Sequence, residues 1–201
     1  MKYNEFRKKM LKPIFTVEEA RTVAWETDPR TLAQELHQWS EKGDLIRLKR
    51  GVYAYPEKMG SRADLARLLY TPSYISLEYA LHDYGLIPDV VFALTLVTTK
   101  TTRSLHSPVG DFIYRHLKPS LFWGYDPETG MGEREKVILD FFYLSGAELR
   151  PTEEFWETFR WQNLKEVDFR KLKKLALKFP GKKVARLAES LAGHAKNHGS
   201  T

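Results

Sequence analysis

Apolar side chains recur at helical spacing over the first part of the chain and then switch to a period of two. Val17, Ala20 and Val23 fall on one stripe, as do Leu32, Leu36 and Trp39 at i, i+4 and i+7, which predicts two short amphipathic helices. The following run, Leu45-Ile46-Arg47-Leu48-Lys49, alternates and is answered across Arg50-Gly51 by Val52-Tyr53-Ala54-Tyr55, the signature of a two-stranded hairpin. Beyond Pro56 helical spacing returns from about Ala63 to Tyr70 and from Ile75 to Tyr84. Val91 to Val97 then reads as a strand, and shorter strand-like segments centre on Phe112-Ile113-Tyr114 and Leu121-Phe122-Trp123. From Glu133 onward the pattern is helical, with Val137, Ile138, Phe141 and Phe142 on an apolar face. Further helices are predicted around Phe155 to Phe159, Leu172 to Phe179 and Lys183 to Ala195, before a frayed tail from Gly193 to Thr201.

Local start and stop signals sharpen the first elements. Thr16 and Glu19 have the spacing of a capping box, and Asp28-Pro29 supplies an N-cap with proline at the first helical position. Gly43 closes the second helix after Lys42. Helix, short connection, helix and basic hairpin are the parts of a winged helix-turn-helix in chain order, and they make double-stranded DNA the leading expected partner. Opposite the Leu32, Leu36 and Trp39 stripe lie Arg30, Thr31, Gln34, His37 and Gln38, side chains able to reach base edges or phosphates. Arg30, nearest the helix N-terminus, is the foremost of these. Lys49 and Arg50 fall at the hairpin tip with Arg47 behind them, where cations meet backbone phosphate or the minor groove. The same helices and hairpin also suit a protein-interaction module without sequence-specific DNA binding.

Charge distribution adds to that picture more than its total does. The net charge is +6, but residues 1–56 carry +3, residues 57–164 carry −4 and residues 165–201 carry +7. The basic segment with Arg170, Lys171, Lys173 and Lys174 is either a second phosphate-facing surface or a solvated helix face. Lys8, Lys9 and Lys12 in the first segment likewise either touch phosphates or belong to a helix packed on the domain. Zero cysteines exclude disulfides, thiolate zinc sites and thiol catalysis. Lacking an 18-residue apolar run or a signal-peptide core, the chain is expected to be cytoplasmic and not membrane-bound.

Three segments in this order, GDLIRLKRGVYAYP at 43–56, PSYISLEYALHDYGLIP at 72–88 and GEREKVILDFFYL at 132–144, resemble the AbiEi family of antitoxins and transcriptional regulators of type IV toxin-antitoxin systems. The resemblance spans most of the chain and is most specific in the middle segment. It implies an N-terminal winged helix that binds repeats in its own promoter and represses the operon. It also implies a C-terminal domain that counters a nucleotidyltransferase-like toxin, without implying a direct complex with it. Arg30, Gln34, His37, Lys49 and Arg50 match the recognition helix and wing positions.

The remaining chemistry is sparse. Ser76 and Glu78 at i, i+2 point apart on a helix, so capping accounts for Ser73 or Ser76 better than catalysis does. Tyr74, Tyr79 and Tyr84 read as core or interface aromatics. The run TTKTTR at 98–103 combines hydroxyls with two cations at a strand end, either a solvated loop or a holder of phosphate groups, without the glycine-rich turn of a phosphate cradle. Glu133, Glu135 and Asp140, with Asp111, His106 and His116, lack the spacing of a metal nuclease and read as surface pairing along a helix. His194 and His198 are four apart but lack further ligands. The expectation is an α+β protein, a winged helix-turn-helix over 1–60 and a mixed domain with a small sheet and several helices over 61–201, with no enzyme activity, cofactor or metal.

Overall fold

A computed structural model describes residues 1–145 and 149–198, and in it the chain divides into two compact units: Met1–Leu65 with Leu105–Asp111, and Ala66–Ser104 with Phe112 onward. The expected boundary at Gly60-Ser61 took no account of the segment that joins the first unit from 105–111.

In the first unit, helix α1 (Tyr3–Lys9) precedes strand β1 (Ile14–Thr16) and helix α2 (Val17–Val23). Phe6 and Met10 bury themselves in the core, so α1 packs on the unit. The α2 cap forms as its sequence predicts. The Thr16 hydroxyl accepts from the Glu19 amide at 3.2 Å, and the Glu19 carboxylate accepts from the Thr16 amide at 2.8 Å. Helix α3 (Pro29–Glu41) starts at Asp28, whose carboxylate accepts from the amides of Arg30 and Thr31 at 3.0 and 3.1 Å. A cap of this kind contributes about 1 kcal/mol. Gly43, at φ +81°, turns the chain out of the helix.

Strands β2 (Ile46–Lys49) and β3 (Val52–Ala54) pair antiparallel across the two-residue turn Arg50-Gly51, and β1 adds to the other edge of β3. The register slips between Arg47 and Lys49, a bulge that buries Leu48 beside an exposed Arg47. Gly51 takes φ +75° at the tip, and its carbonyl accepts from the Val17 amide at 3.0 Å.

Helix α4 (Arg62–Leu69) precedes a four-stranded sheet of β4 (Ser73–Ile75), β5 (Leu94–Thr98), β6 (Arg103–Ser107) and β7 (Gly110–His116) in the order β4-β5-β7-β6. β4 runs antiparallel to β5, and β5 runs parallel to β7 with Thr98 opposite His116. Every residue of β5 is buried, as befits a central strand covered on both faces. Helix α5 (Leu77–Asp83) follows β4, and α6 (Arg134–Leu144) packs against α5, α8 (Phe169–Ala176) and α9 (Lys183–His198). Helix α7 (Glu153–Phe159) rests on α9, where the Trp156 indole donates to the Ser190 hydroxyl at 2.8 Å.

Four expectations give way here. Residues 75–84 do not form one helix, because Tyr74 and Ile75 pair with Val97 and Leu96 as strand before α5 begins. Leu121-Phe122-Trp123 is not a strand: a 3₁₀ turn occupies Pro119–Leu121, and proline lacks the amide a ladder needs. The strand expected over 91–97 starts at Leu94, leaving Phe92 84% exposed in the preceding loop. Helix α9 continues through Gly193 to His198 because Leu191, Ala192 and His194 are buried, so the tail is not frayed at 193. Residues 199–201 and the His198 side chain lie outside the described residues. Among the described residues no helix is long and apolar enough to cross a membrane.

Candidate nucleic-acid interface

Helix α3 is held by one face and free on the other. Leu32, Leu36 and Trp39 are at most 6% exposed, and Trp39 meets Phe6 and Tyr3 with ring centroids 5.1 and 5.4 Å apart. The Tyr3 hydroxyl donates to the Asp44 carbonyl at 3.0 Å, so α1 braces the C-terminal half of α3 and the turn after it. Because that stripe is fixed in the core, the opposite side must face solvent, and Arg30, Thr31, Gln34, His37 and Gln38 are all exposed. At 1.5 Å per residue, Arg30 to Gln38 spans about 12 Å of helix.

The polarity of this face is graded. Arg30 is a planar cation with five donors, Gln34 and Gln38 offer both donors and acceptors, and His37 adds an imidazole. Thr31 is partly engaged, its hydroxyl lying 3.4 Å from the Asp28 carboxylate. Asp28 itself is exposed beside Arg30, and its charge offsets part of the cation's pull on an approaching anion. Glu35 is half-buried and pairs with the Met1 amino group at 2.5 Å.

At the hairpin, Arg47 and Arg50 are exposed, while Lys49 is half-buried and engaged within the protein. The cation standing clear at the tip is therefore Arg50. Of the N-terminal lysines, Lys8 and Lys9 on α1 are exposed, whereas Lys12 beyond it pairs with Glu19 at 2.5 Å. That contact, ahead of the Thr16 amide, holds the Glu19 carboxyl below its usual range.

The acidic residues of the second unit are placed quite differently from the surface pairing their spacing predicts. Asp140 is fully buried on α6, paired with an equally buried Lys136 one turn earlier. Tyr74 donates to Asp140 at 2.6 Å and accepts from the Lys136 ammonium at 2.7 Å, and Ser76 donates to the same carboxylate at 3.0 Å. Ser76 precedes α5 in the N-cap position, yet its hydroxyl serves Asp140 and makes no cap. The Lys136 ammonium also lies 4.8 Å from the Trp123 ring centroid and 5.3 Å from that of Phe179. Burial pushes the Asp140 carboxyl up and the Lys136 ammonium down, each opposed by the other's charge, and burial pushes the Tyr74 phenol up. All four side chains of this network are fully buried. Its sequence signal lies at positions 137, 138, 139, 141 and 142, apolar all round the helix, which leave no solvent face for Lys136 or Asp140.

The other acidic and histidine candidates do not converge either. Glu133 and Glu135 both bind Lys171, each at 2.9 Å, which ties one cation of the basic C-terminal segment to α6. His106 pairs with Asp111 at 2.9 Å on the β6–β7 hairpin, and His116 meets the Lys100 carbonyl. His194 is buried against Glu153 at 2.5 Å. Tyr74 is core, and Tyr84 donates to the Gly132 carbonyl at 2.8 Å beneath the Arg134 guanidinium. The chain matches no family model and no curated protein sequence.

Proposed function

We propose that residues 16–55 are a winged helix-turn-helix and that the protein is a DNA-binding transcriptional autorepressor acting on repeats in its own promoter. The observation that carries the reading is the exposed face of α3, where Arg30, Gln34, His37 and Gln38 line up opposite a buried stripe, followed in chain order by a hairpin tip bearing Arg50. A helix so presented has the side chains that pair with base edges, and Arg30 is suited to a bidentate contact with guanine. Arg47 and Arg50 are suited to phosphate. The resemblance of the three segments to the AbiEi family supports extending the proposal to an antitoxin that counters a nucleotidyltransferase-like toxin.

The test is a gel-shift titration of the full chain on its own upstream sequence at several salt concentrations. Affinity is expected to fall steeply between ~50 and ~200 mM salt, because neutralised phosphates release counterions. Equal binding to scrambled DNA, or no shift at low salt, refutes the reading. A second reading, a protein-interaction module, draws on Trp25, which is 76% exposed in the turn between α2 and α3. Flat salt dependence with loss of a protein partner on Trp25→Ala favours it. The antitoxin role is tested separately, by co-expressing the chain with the toxin-like product of a neighbouring gene and scoring growth.

A further inference from the structure

The carboxyl ends of the parallel strands β5 and β7 open onto a depression of about 690 Å³ lined by Tyr70, Thr99, Lys100, Thr101, Thr102 and His116. Parallel strands present their ligands at this edge, since the loops leaving them diverge there. The depression lies wholly within the second unit.

Its walls are fixed. The Thr98 hydroxyl, at the end of β5, donates to the Pro72 carbonyl at 2.6 Å and accepts from the Lys100 amide at 3.2 Å, which sets the course of the loop. The Tyr70 ring rests edge-on against the buried Tyr114 at 5.1 Å, and its hydroxyl meets both the carbonyl and the hydroxyl of Thr101 at 3.1 Å. Two cations gather over that ring, Lys100 at 5.4 Å and Arg103 at 5.6 Å from its centroid. The Thr102 hydroxyl accepts from the His116 amide at 3.0 Å, which leaves its own proton to donate. His116 Nδ1 lies 2.9 Å from the Lys100 carbonyl, an acceptor, so this nitrogen donates and ties β7 to the loop.

We propose that this depression binds the phosphate of a phosphate monoester, held by Lys100 and Arg103 and oriented by the Thr102 hydroxyl. Two cations match a monoester, which carries close to −2 at neutral pH and three terminal oxygens. A phosphodiester inside a nucleic-acid strand carries a single charge and leaves one cation unanswered. The Tyr70 ring beside the cations offers a flat surface to whatever the phosphate is attached to.

Calorimetric titration of the full chain at fixed ionic strength tests this with inorganic phosphate, AMP, adenosine and dimethyl phosphate. Inorganic phosphate and AMP are expected to bind saturably, and adenosine and dimethyl phosphate are not. AMP binding more tightly than phosphate identifies a nucleotide as the source, and equal affinity identifies the phosphate group alone. Lys100→Gln with Arg103→Gln should weaken binding ~10-fold or more, given the strength of charge-assisted bonds. Thr102→Val, which keeps the charge, should weaken it by a smaller factor, while Lys8→Gln with Lys9→Gln on α1 should leave it unchanged. The proposal is overturned by absence of saturable phosphate binding, by binding indifferent to Lys100, Arg103 and Thr102, or by an equal loss in the α1 variant.

Discussion

Replacing Asp140 by alanine removes the acceptor for three donors at once: the Lys136 ammonium and the hydroxyls of Tyr74 and Ser76. All four side chains sit where water does not reach, Lys136, Tyr74, Ser76 and Asp140 each being 0% exposed. Breaking a buried ion pair from one side costs about 3–5 kcal/mol, because the remaining charge is stranded. A chain of 201 residues loses about 2–4 °C of melting temperature per kcal/mol, so a fall of roughly 6–20 °C is expected. The energy resides in stranding the partners more than in the attraction itself, so taking the whole network out should restore stability. Lys136→Met with Asp140→Leu recovers part of the loss but leaves the Tyr74 and Ser76 hydroxyls without partners, at about 1–3 kcal/mol each. Adding Tyr74→Phe recovers more. Thermal unfolding followed by circular dichroism, with urea titration for the free energies, measures the series. If Asp140→Ala shifts the midpoint by less than about 2 °C, or the triple variant is no more stable than the single, the account of this network is wrong.

Other perturbations give distinct readouts. Arg30→Ala should reduce preference for the promoter repeats over random DNA by about 1–3 kcal/mol, whereas Arg50→Ala should weaken both alike and lower the salt slope by about 1, as fluorescence anisotropy can show. Leu36→Ala, at a site with 0% exposure, should cost about 2–5 kcal/mol in urea unfolding. Asp28→Ala should cost about 1 kcal/mol through the lost α3 cap, while removing a negative charge beside Arg30 that opposes anion binding. Glu19, held below its usual range by Lys12 and the Thr16 amide, contributes stability that is complete above the unfolded carboxylate value of about 4.3 and is lost as pH falls through the lower folded value. Acid titration of Glu19→Gln should therefore show a shallower loss than the parent chain, and an unchanged curve refutes the cap's role.

The elements readable in the sequence are those whose signals are local. Thr16 with Glu19, Asp28 with Pro29, and Gly43 mark helix ends through bonds made within a few residues, and Arg50-Gly51 marks its own turn. The exposure of the α3 face followed directly from the burial of Leu32, Leu36 and Trp39. Strand β6 carried no such signal, since Arg103, Ser104 and His106 are exposed on an edge and leave Leu105 as its single large apolar residue. Strand β4 was hidden because Tyr74 and Ile75 continue into the apolar pattern of α5, and only their pairing with β5 separates the two. The burial of Asp140 is signalled by the apolar residues that surround it on its helix, but its partners Tyr74 and Ser76 lie more than sixty positions away. Local spacing marks such a charge as buried without naming the groups that satisfy it.

The bond from the Val17 amide to the Gly51 carbonyl fastens the loop end of the hairpin to the first residue of α2. Helix and ribbon thus share a common anchor and do not swing as two independent arms. Any ligand that touches both meets a gauge whose gap was fixed when the chain folded, and it must conform to that gap. Lengthening the Arg50-Gly51 turn by a single residue would reset the gauge while leaving the exposed side chains of α3 in place.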